Sequence, residues 1–188
     1  MPSLIQNYKR KVYSTKLKQT YSILSQAVKL SEIENGSAST WERHPMDNYT
    51  DGKLDSEKNA THCYNFFIKY LAPYMKYYAS EKNVKNREYR LTNGAYIQLH
   101  NGSSMDINVF LNNEWKPGAS VHNFGIGSNG LYIGSTWQVN ANDRESLKIK
   151  CKSSYSNGVY GINNNWAYCT RLLLIDNWEF KDDFPLKL

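Results

Sequence analysis

One uninterrupted helical pattern opens the chain, and it constrains the fold more than any other feature. Apolar residues recur mostly three or four positions apart, at Ile5, Tyr8, Val12, Leu17, Tyr21, Leu24 and Val28. This spacing places them along one stripe of a helix. No Gly or Pro interrupts residues 3–33, and Asn35-Gly36 supplies a typical helix stop. The pattern predicts a single helix about 45 Å long, more than twice the average of about 11–12 residues in globular proteins.

A helix of this length outreaches the body that a chain of 188 residues can form. About 20 helical residues already span the diameter of a small domain. We therefore predict one globular domain from which the N-terminal half of the helix projects, with its apolar stripe covered by something outside that domain.

Composition and charge exclude several classes of protein. The mean hydropathy is −0.67, and no run of 18 apolar residues is present, so the given chain contains no bilayer span. Fifteen Tyr, six Phe and five Trp argue against wholesale disorder. The net charge is +6, and no acid precedes Glu32. Six bases crowd the first helix: Lys9, Arg10, Lys11, Lys16, Lys18 and Lys29. We interpret them as a solvated basic face rather than a nucleic-acid site, because they surround the helix.

The remaining sequence predicts an α+β order of elements. A loop and a second helix, Ser56 to Tyr78 with a kink at Pro73, occupy the middle of the chain. Hairpin signals follow at Asn101-Gly102 and Asn129-Gly130. Further predictions are a strand over 147–151, a buried strand or short helix over 169–175, and an edge strand over 177–180. The predicted regions are a spine helix (1–34), a loop and second helix (35–90), and an antiparallel sheet with a C-terminal disulfide loop (91–188).

The three cysteines leave at least one thiol unpaired within the chain. Cys151 and Cys169 enclose a segment rich in Ser, Asn, Gly and Tyr, and a bridge there would restrain it. We favour that pair because it is local, while pairing of Cys63 with Cys151 or with Cys169 stays open.

No arrangement typical of catalysis is present, and we expect neither an enzyme nor a cofactor. His62 and Cys63 are neighbours, but consecutive residues of a helix point in different directions. The acidic loop over 47–52 resembles a calcium loop superficially, yet Tyr49 and Lys58 stand where ligands are required. Only a looser calcium site remains open there.

Several separate runs resemble the prepilin-type family of type IV pilins and type II secretion pseudopilins. They are Met1 to Lys11 with Pro2, Leu24 to Gly36, Phe67 to Lys76, Met105 to Asn108, and Cys169 to Phe180. The opening run is similar to the stretch that follows the membrane-embedded half of a pilin helix.

The resemblance implies a fold and a function. The fold is a long helical spine on an antiparallel sheet. The function is assembly into a filament, with an interface on the spine at Ile5, Tyr8, Val12, Leu17 and Tyr21. It also implies a preceding apolar membrane anchor with a processing and methylation site. The expected partners are copies of the chain, related subunits and the inner-membrane assembly machinery. The implied location is the bacterial inner membrane and periplasm, and then a cell-surface or periplasmic filament.

A second hypothesis is a minor or tip subunit that binds a glycan or DNA. Its candidate stacking residues are Trp115, Trp137, Tyr155, Tyr160 and Trp166. We favour their interpretation as core and turn residues.

Overall fold

A computed structural model defines the architecture. It describes residues 2–43, 49–50, 53–80, 87–100, 105–127, 129–133, 143–153, 155–156, 159–160 and 166–188. The helices within these ranges are α1 (Pro2–Asn35), α2 (Ser56–Tyr70), α3 (Arg144–Lys152) and α4 (Trp166–Ile175). The main sheet contains β3 (Tyr77–Tyr78), β4 (Glu88–Leu91), β5 (Tyr96–Leu99), β6 (Ile107–Phe110), β7 (Val121–Gly127) and β8 (Gly130–Ile133). Two-residue hairpins are formed by β1 (Tyr49–Thr50) with β2 (Lys53–Leu54), and by β9 (Tyr155–Ser156) with β10 (Val159–Tyr160).

Helix α1 is continuous over 34 residues, as the sequence predicted. It ends at a glycine: Gly36 has φ +74°, a conformation that favours Gly after a helix. From Tyr13 onward one face enters the core, where Leu17, Leu24 and Val28 are buried. The last two thirds of the helix therefore belong to the folded body.

The main sheet is an antiparallel meander in the order β3 to β8. Pairing of β5 with β6 and of β7 with β8 confirms the two hairpins predicted at Asn101-Gly102 and Asn129-Gly130. One sheet face carries Ile97, Val109 and His122, because directly paired residues share a face. Alternating side chains of these strands fill the core.

Helices α1, α2 and α4 pack on that face of the sheet. The ring of Phe67 in α2 stacks on Tyr89 of β4 at 3.7 Å between centroids. The ring centroids of Tyr21 in α1 and Phe124 in β7 lie 6.1 Å apart. On α4, Thr170 Oγ1 lies 3.1 Å from Nδ1 of His122. The predicted α+β fold of the pilin-like kind, a long helix against an antiparallel sheet, is confirmed.

The predicted strand over 147–151 is wrong, because those residues lie within α3. The Asp143 side chain accepts a hydrogen bond from the backbone N–H of Ser146 at 2.8 Å and caps the helix. Leu147 and Cys151, four residues apart, are its buried positions. The apolar spacing in 147–151 fits both a strand and a helix, and the cap decides between them. The segment over 169–175 is helical within α4.

Two other boundaries differ from the sequence prediction. Helix α2 ends at Tyr70, well before Tyr78, and Pro73 lies in a 3-10 turn (Ala72–Tyr74) because its ring cannot continue an α-helix. The predicted edge strand over 177–180 is also absent from the described C-terminal residues. Asn177 (φ +55°) and Trp178 (φ +69°) turn the chain sharply after α4 instead.

Candidate functional site

The first two turns of α1 form an apolar tip that stands clear of the body. The exposed fractions of Leu4, Ile5 and Tyr8 are 75%, 70% and 71%. Lys9, Arg10 and Lys11 follow at once, and no acidic residue lies in the first turn. Ile5 and Tyr8, two of the predicted interface residues, are therefore available to a partner.

The rest of the predicted interface is not available in the same way. Leu17 is fully buried in the core, so the prediction is wrong for this residue. Tyr21 packs against Trp178, 4.8 Å between ring centroids, and is partly covered. Val12 is partly buried against the core. The covering comes from the body and from the C-terminal segment, which we define as residues 176–188.

A groove of about 880 Å³ separates the tip from the C-terminal segment. Leu4, Lys11 and Thr15 line the helical side, and Glu179 and Asp182 line the other. Arg10 and Asp182, which also line the groove, form an ion pair. The backbone N–H of Phe180 donates a hydrogen bond to Ser14 Oγ at 3.3 Å. These contacts fix the groove walls relative to each other.

A charge cluster anchors the C-terminal segment to α3. Arg144 Nε lies 2.7 Å from Asp176 Oδ1, and its Nη2 lies 2.7 Å from Asp183 Oδ1. Lys181 Nζ contacts the same buried carboxylate of Asp176 at 2.7 Å. Hydrogen bonds from Arg144 and Lys148 hold the pKa of the Asp183 carboxyl far below its ordinary value. The cluster thus keeps the segment, and the groove wall it forms, in place.

The opposite end of α1 carries a second exposed group, which we call the tail. It consists of the apolar Leu30 and Ile33 and the acidic Glu34. Ile33 is 79% exposed and Leu30 is 39% exposed. Glu34 accepts a hydrogen bond from the Tyr74 hydroxyl at 2.7 Å. Glu32 turns inward and accepts a hydrogen bond from the backbone N–H of Ala38 at 3.0 Å.

Sequence reasoning missed Leu4, Leu30 and Ile33 as surface residues. The apolar pattern contains one step of five residues, from Val12 to Leu17, which turns the stripe by about 140° at about 100° per residue. The first part of the stripe therefore faces outward, on the same side of the helix as Leu4, Leu30 and Ile33. That break in the stripe was the available signal.

The disulfide prediction is confirmed. Cys151 of α3 and Cys169 of α4 are bonded, and their Cα atoms lie 4.7 Å apart. Cys63 is buried and takes no part in a disulfide. The bond joins the two helices next to the anchored C-terminal segment.

The candidate stacking residues do not form one described surface. Trp115 is 54% exposed, with its ring 5.5 Å from that of Phe110. Trp137 lies outside the described residues. Tyr155 and Tyr160 belong to β9 and β10, and Trp166 begins α4, but their side chains also lie outside the description.

Nothing in the described part of the chain resembles a reactive centre. Burial raises the pKa of the Cys63 thiol to about 11, which disfavours the nucleophilic thiolate. Burial lowers the pKa of His122 to about 3. No group of three or more acidic, His or Cys side chains suited to a metal occurs among the described residues. The loop over 47–52, the looser calcium candidate, lies outside them except for the backbone of Tyr49 and Thr50.

No helix within the described residues combines the length and apolar character that a membrane crossing requires.

Comparison with known proteins gives one match. The model of a family of unknown function, DUF6613, matches residues 3–130, from the first turn of α1 to the start of β8. No curated protein and no solved structure matches the chain.

Proposed function

The chain belongs to this family of unknown function, and we propose that it is a structural subunit of a filament, of the type IV pilus or type II secretion pseudopilus kind. In this proposal it has no catalytic activity. Its partners are copies of itself, related subunits and an inner-membrane assembly apparatus. It acts first at the bacterial inner membrane and periplasm, and then in the filament.

One observation carries the proposal. Helix α1 is a single helix of 34 residues, of which only the part from Val12 onward packs against the core. Its free end exposes Leu4, Ile5 and Tyr8 to water. Burial of apolar area contributes about 25 cal/mol per Å², so these side chains favour a partner that covers them. A projecting helix with an uncovered apolar tip is what an assembling subunit requires.

Immunogold electron microscopy of cells that produce the protein from its own gene tests the proposal. Antibodies raised against the folded chain should label fibres at the cell surface or in the periplasm. Cells that lack the gene provide the matched control. Uniform labelling of the cytoplasm without fibres would contradict the proposal.

A second candidate function is favoured by Trp115 alone. Its indole is 54% exposed at the end of a row of rings in which Tyr96 stacks on Phe110 at 4.4 Å. Exposed indoles stack on sugars and on nucleic-acid bases. Glycan arrays and single-stranded DNA titrations test this function, and Trp115→Ala should abolish any saturable binding. The absence of saturable binding to both would contradict it.

A further inference from the structure

We infer that the outer face of the main sheet binds an uncharged oligosaccharide. The outer face is the one opposite to α1, α2 and α4, and it carries Tyr96 and Asn108. The inference rests on the second candidate function. It extends the single indole of Trp115 to a surface and chooses between the two classes of ligand named there.

An aromatic row crosses the outer face. Directly paired residues share a face, and the pairing of β3 to β6 places these residues side by side: Tyr78, Arg90, Tyr96 and Phe110. The guanidinium carbon of Arg90 lies 5.4 Å from the centroid of the Tyr96 ring, and that ring stacks on Phe110 at 4.4 Å. The Trp115 ring follows, 5.5 Å from that of Phe110.

The two ends of the aromatic row are exposed. Tyr78 is 68% exposed at the edge of the sheet, and Trp115 is 54% exposed at the other end. Because neighbouring strands lie about 4.8 Å apart, the step from β3 to β6 separates the two ends by on the order of 15 Å. Rings spaced in this way fit a chain of several sugars better than a single sugar.

A row of planar polar side chains runs beside the aromatic row, two residues along each strand. Its members are directly paired from β4 to β7: Glu88, Gln98, Asn108 and Asn123. At about 3.3 Å per residue the two rows lie about 7 Å apart. Carboxamide groups present a donor beside an acceptor, which matches neighbouring hydroxyl groups of a sugar ring, whereas aromatic rings stack on the apolar face of the sugar. The outer face therefore offers both kinds of contact that a sugar uses.

The inner end of the polar row is an asparagine pair with an unused acceptor. Asn108 and Asn123 oppose each other on β6 and β7, although Asn is depleted in strands. Both are buried, and Asn123 Nδ2 donates a hydrogen bond to Asn108 Oδ1 at 3.0 Å. Asn123 Oδ1 is buried and accepts no hydrogen bond from the described residues. Buried polar atoms normally have a partner, and a ligand rich in hydroxyl groups supplies the missing donor.

The charges of the outer face favour an uncharged ligand over nucleic acid. Arg90 and Glu88 are of opposite sign, and Lys116, next to Trp115 in the chain, forms an ion pair with Glu114 at 2.8 Å. Proteins that bind single strands present a positively charged groove that follows the phosphates. The six bases that crowd the first helix belong to α1, which packs on the opposite face of the sheet.

A glycan array gives the first test. The folded chain, labelled with a fluorophore, is applied to an array of neutral and acidic oligosaccharides that contain glucose, mannose, galactose and their N-acetylated derivatives. We expect saturable binding to neutral members of the array.

NMR spectroscopy then locates the site. The neutral oligosaccharide with the strongest array signal is titrated into the isotope-labelled chain, and a short single-stranded oligothymidylate serves as the comparison. The side-chain amide resonances of Gln98, Asn108 and Asn123 should shift in a saturable manner with the sugar and not with the oligothymidylate. Those of Gln19 and Gln26 on α1 should not shift, and they are the internal controls.

Substitutions in the two rows test the contacts. Tyr78→Ala removes a stacking ring and Gln98→Ala removes an amide, and each should raise the Kd for this oligosaccharide about fivefold or more. Tyr64→Ala is the matched control, because this ring is 39% exposed on α2, on the other side of the sheet. It should leave the Kd unchanged. Circular dichroism checks that each variant is folded.

The outcomes separate the inference from the second candidate function. Binding of a neutral oligosaccharide that neither Tyr78→Ala nor Gln98→Ala weakens overturns the assigned face, and glycan binding stands. Saturable binding of acidic glycans or oligothymidylate alone overturns the ligand class, and the second candidate function stands. No saturable binding of any of these probes overturns both. The filament proposal is decided separately by immunogold microscopy.

Discussion

Trp178 packs its indole ring against the ring of Tyr21, with 4.8 Å between the ring centroids. The centroids of both rings also lie within 6.3 Å of the Phe124 ring centroid on strand β7. Trp178 occupies a left-handed backbone conformation, φ +69°, which is strained for a bulky residue. The aromatic contacts offset that strain. The C-terminal segment and α1 therefore belong to one core, and Tyr21 is partly covered by its own chain.

The first prediction concerns this contact. Trp178→Ala should lower the free energy of unfolding by about 3–5 kcal/mol, because it removes a large buried ring and leaves a cavity. Urea denaturation followed by circular dichroism measures the change. Trp115→Ala, which removes a half-exposed indole, should lower the free energy of unfolding clearly less than Trp178→Ala does. Equal losses for the two variants would show that the Tyr21 contact does not stabilise the fold.

The second prediction concerns the anchor of the C-terminal segment. Arg144→Met leaves the buried carboxylate of Asp176 with Lys181 as its remaining cation in the cluster. We expect the free energy of unfolding to fall by about 2–3 kcal/mol. The loss is smaller than for breaking an isolated buried ion pair, because Lys181 remains in contact with Asp176. Chemical denaturation measures it, with Lys152→Met at the exposed end of the same helix as the control. Arg144→Lys should retain only part of the stability that Arg144→Met loses, because Lys lacks the planar guanidinium group of Arg.

The third prediction concerns the disulfide. In a double variant with Cys151→Ser and Cys169→Ser, the free energy of unfolding should fall by about 3 kcal/mol, as expected for a closed loop of this length. The wild-type chain in a thiol reductant should show a similar drop in melting temperature. Cys63→Ala keeps the Cys151–Cys169 bond and should show the same drop in melting temperature on reduction as the wild-type chain. A melting temperature of the wild-type chain that is insensitive to reduction would contradict the bond's role.

The fourth prediction concerns pH. Burial lowers the pKa of His122 to about 3, whereas an unfolded histidine titrates near 6.5. Between these values only the unfolded state binds the proton. The free energy of unfolding should therefore fall as pH drops from about 6.5 toward 3, by up to about 1.4 kcal/mol per pH unit from this residue.

The variant His122→Asn isolates that contribution. It keeps a polar group near Thr170 but cannot titrate. Its stability should depend less steeply on pH between 6 and 4 than that of the wild-type chain. Identical slopes for the two chains would contradict the assigned pKa of His122, since the carboxylates are common to both.

Local signals in the sequence were sufficient for much of the fold. The apolar spacing from Ile5 to Val28 and the stop at Gly36 predict α1 correctly. The turns at Asn101-Gly102 and Asn129-Gly130 predict two pairings of the sheet correctly. These elements are set by contacts between residues close in the chain, which sequence patterns record.

The surface of α1 could be predicted only in part. Exposed Ile5 and Tyr8 agree with an interface, but Leu17 and Tyr21 are covered by groups that the helical pattern cannot identify. The ion pair between Arg10 and Asp182 joins residues 172 positions apart. Contacts over such a distance depend on the whole fold. The sequence therefore indicated which residues could be covered, but not whether the same chain or another copy covers them.

The most direct test of the assembly surface is photo-crosslinking from the tip of α1. The photoreactive amino acid benzoylphenylalanine replaces Tyr8, and the same group at Ile149 serves as the control position. After irradiation of cells that produce the protein, mass spectrometry identifies the crosslinked peptides. The account predicts that position 8 crosslinks to a second copy of the chain and that position 149 does not. Crosslinks from position 8 that never reach another copy would contradict it.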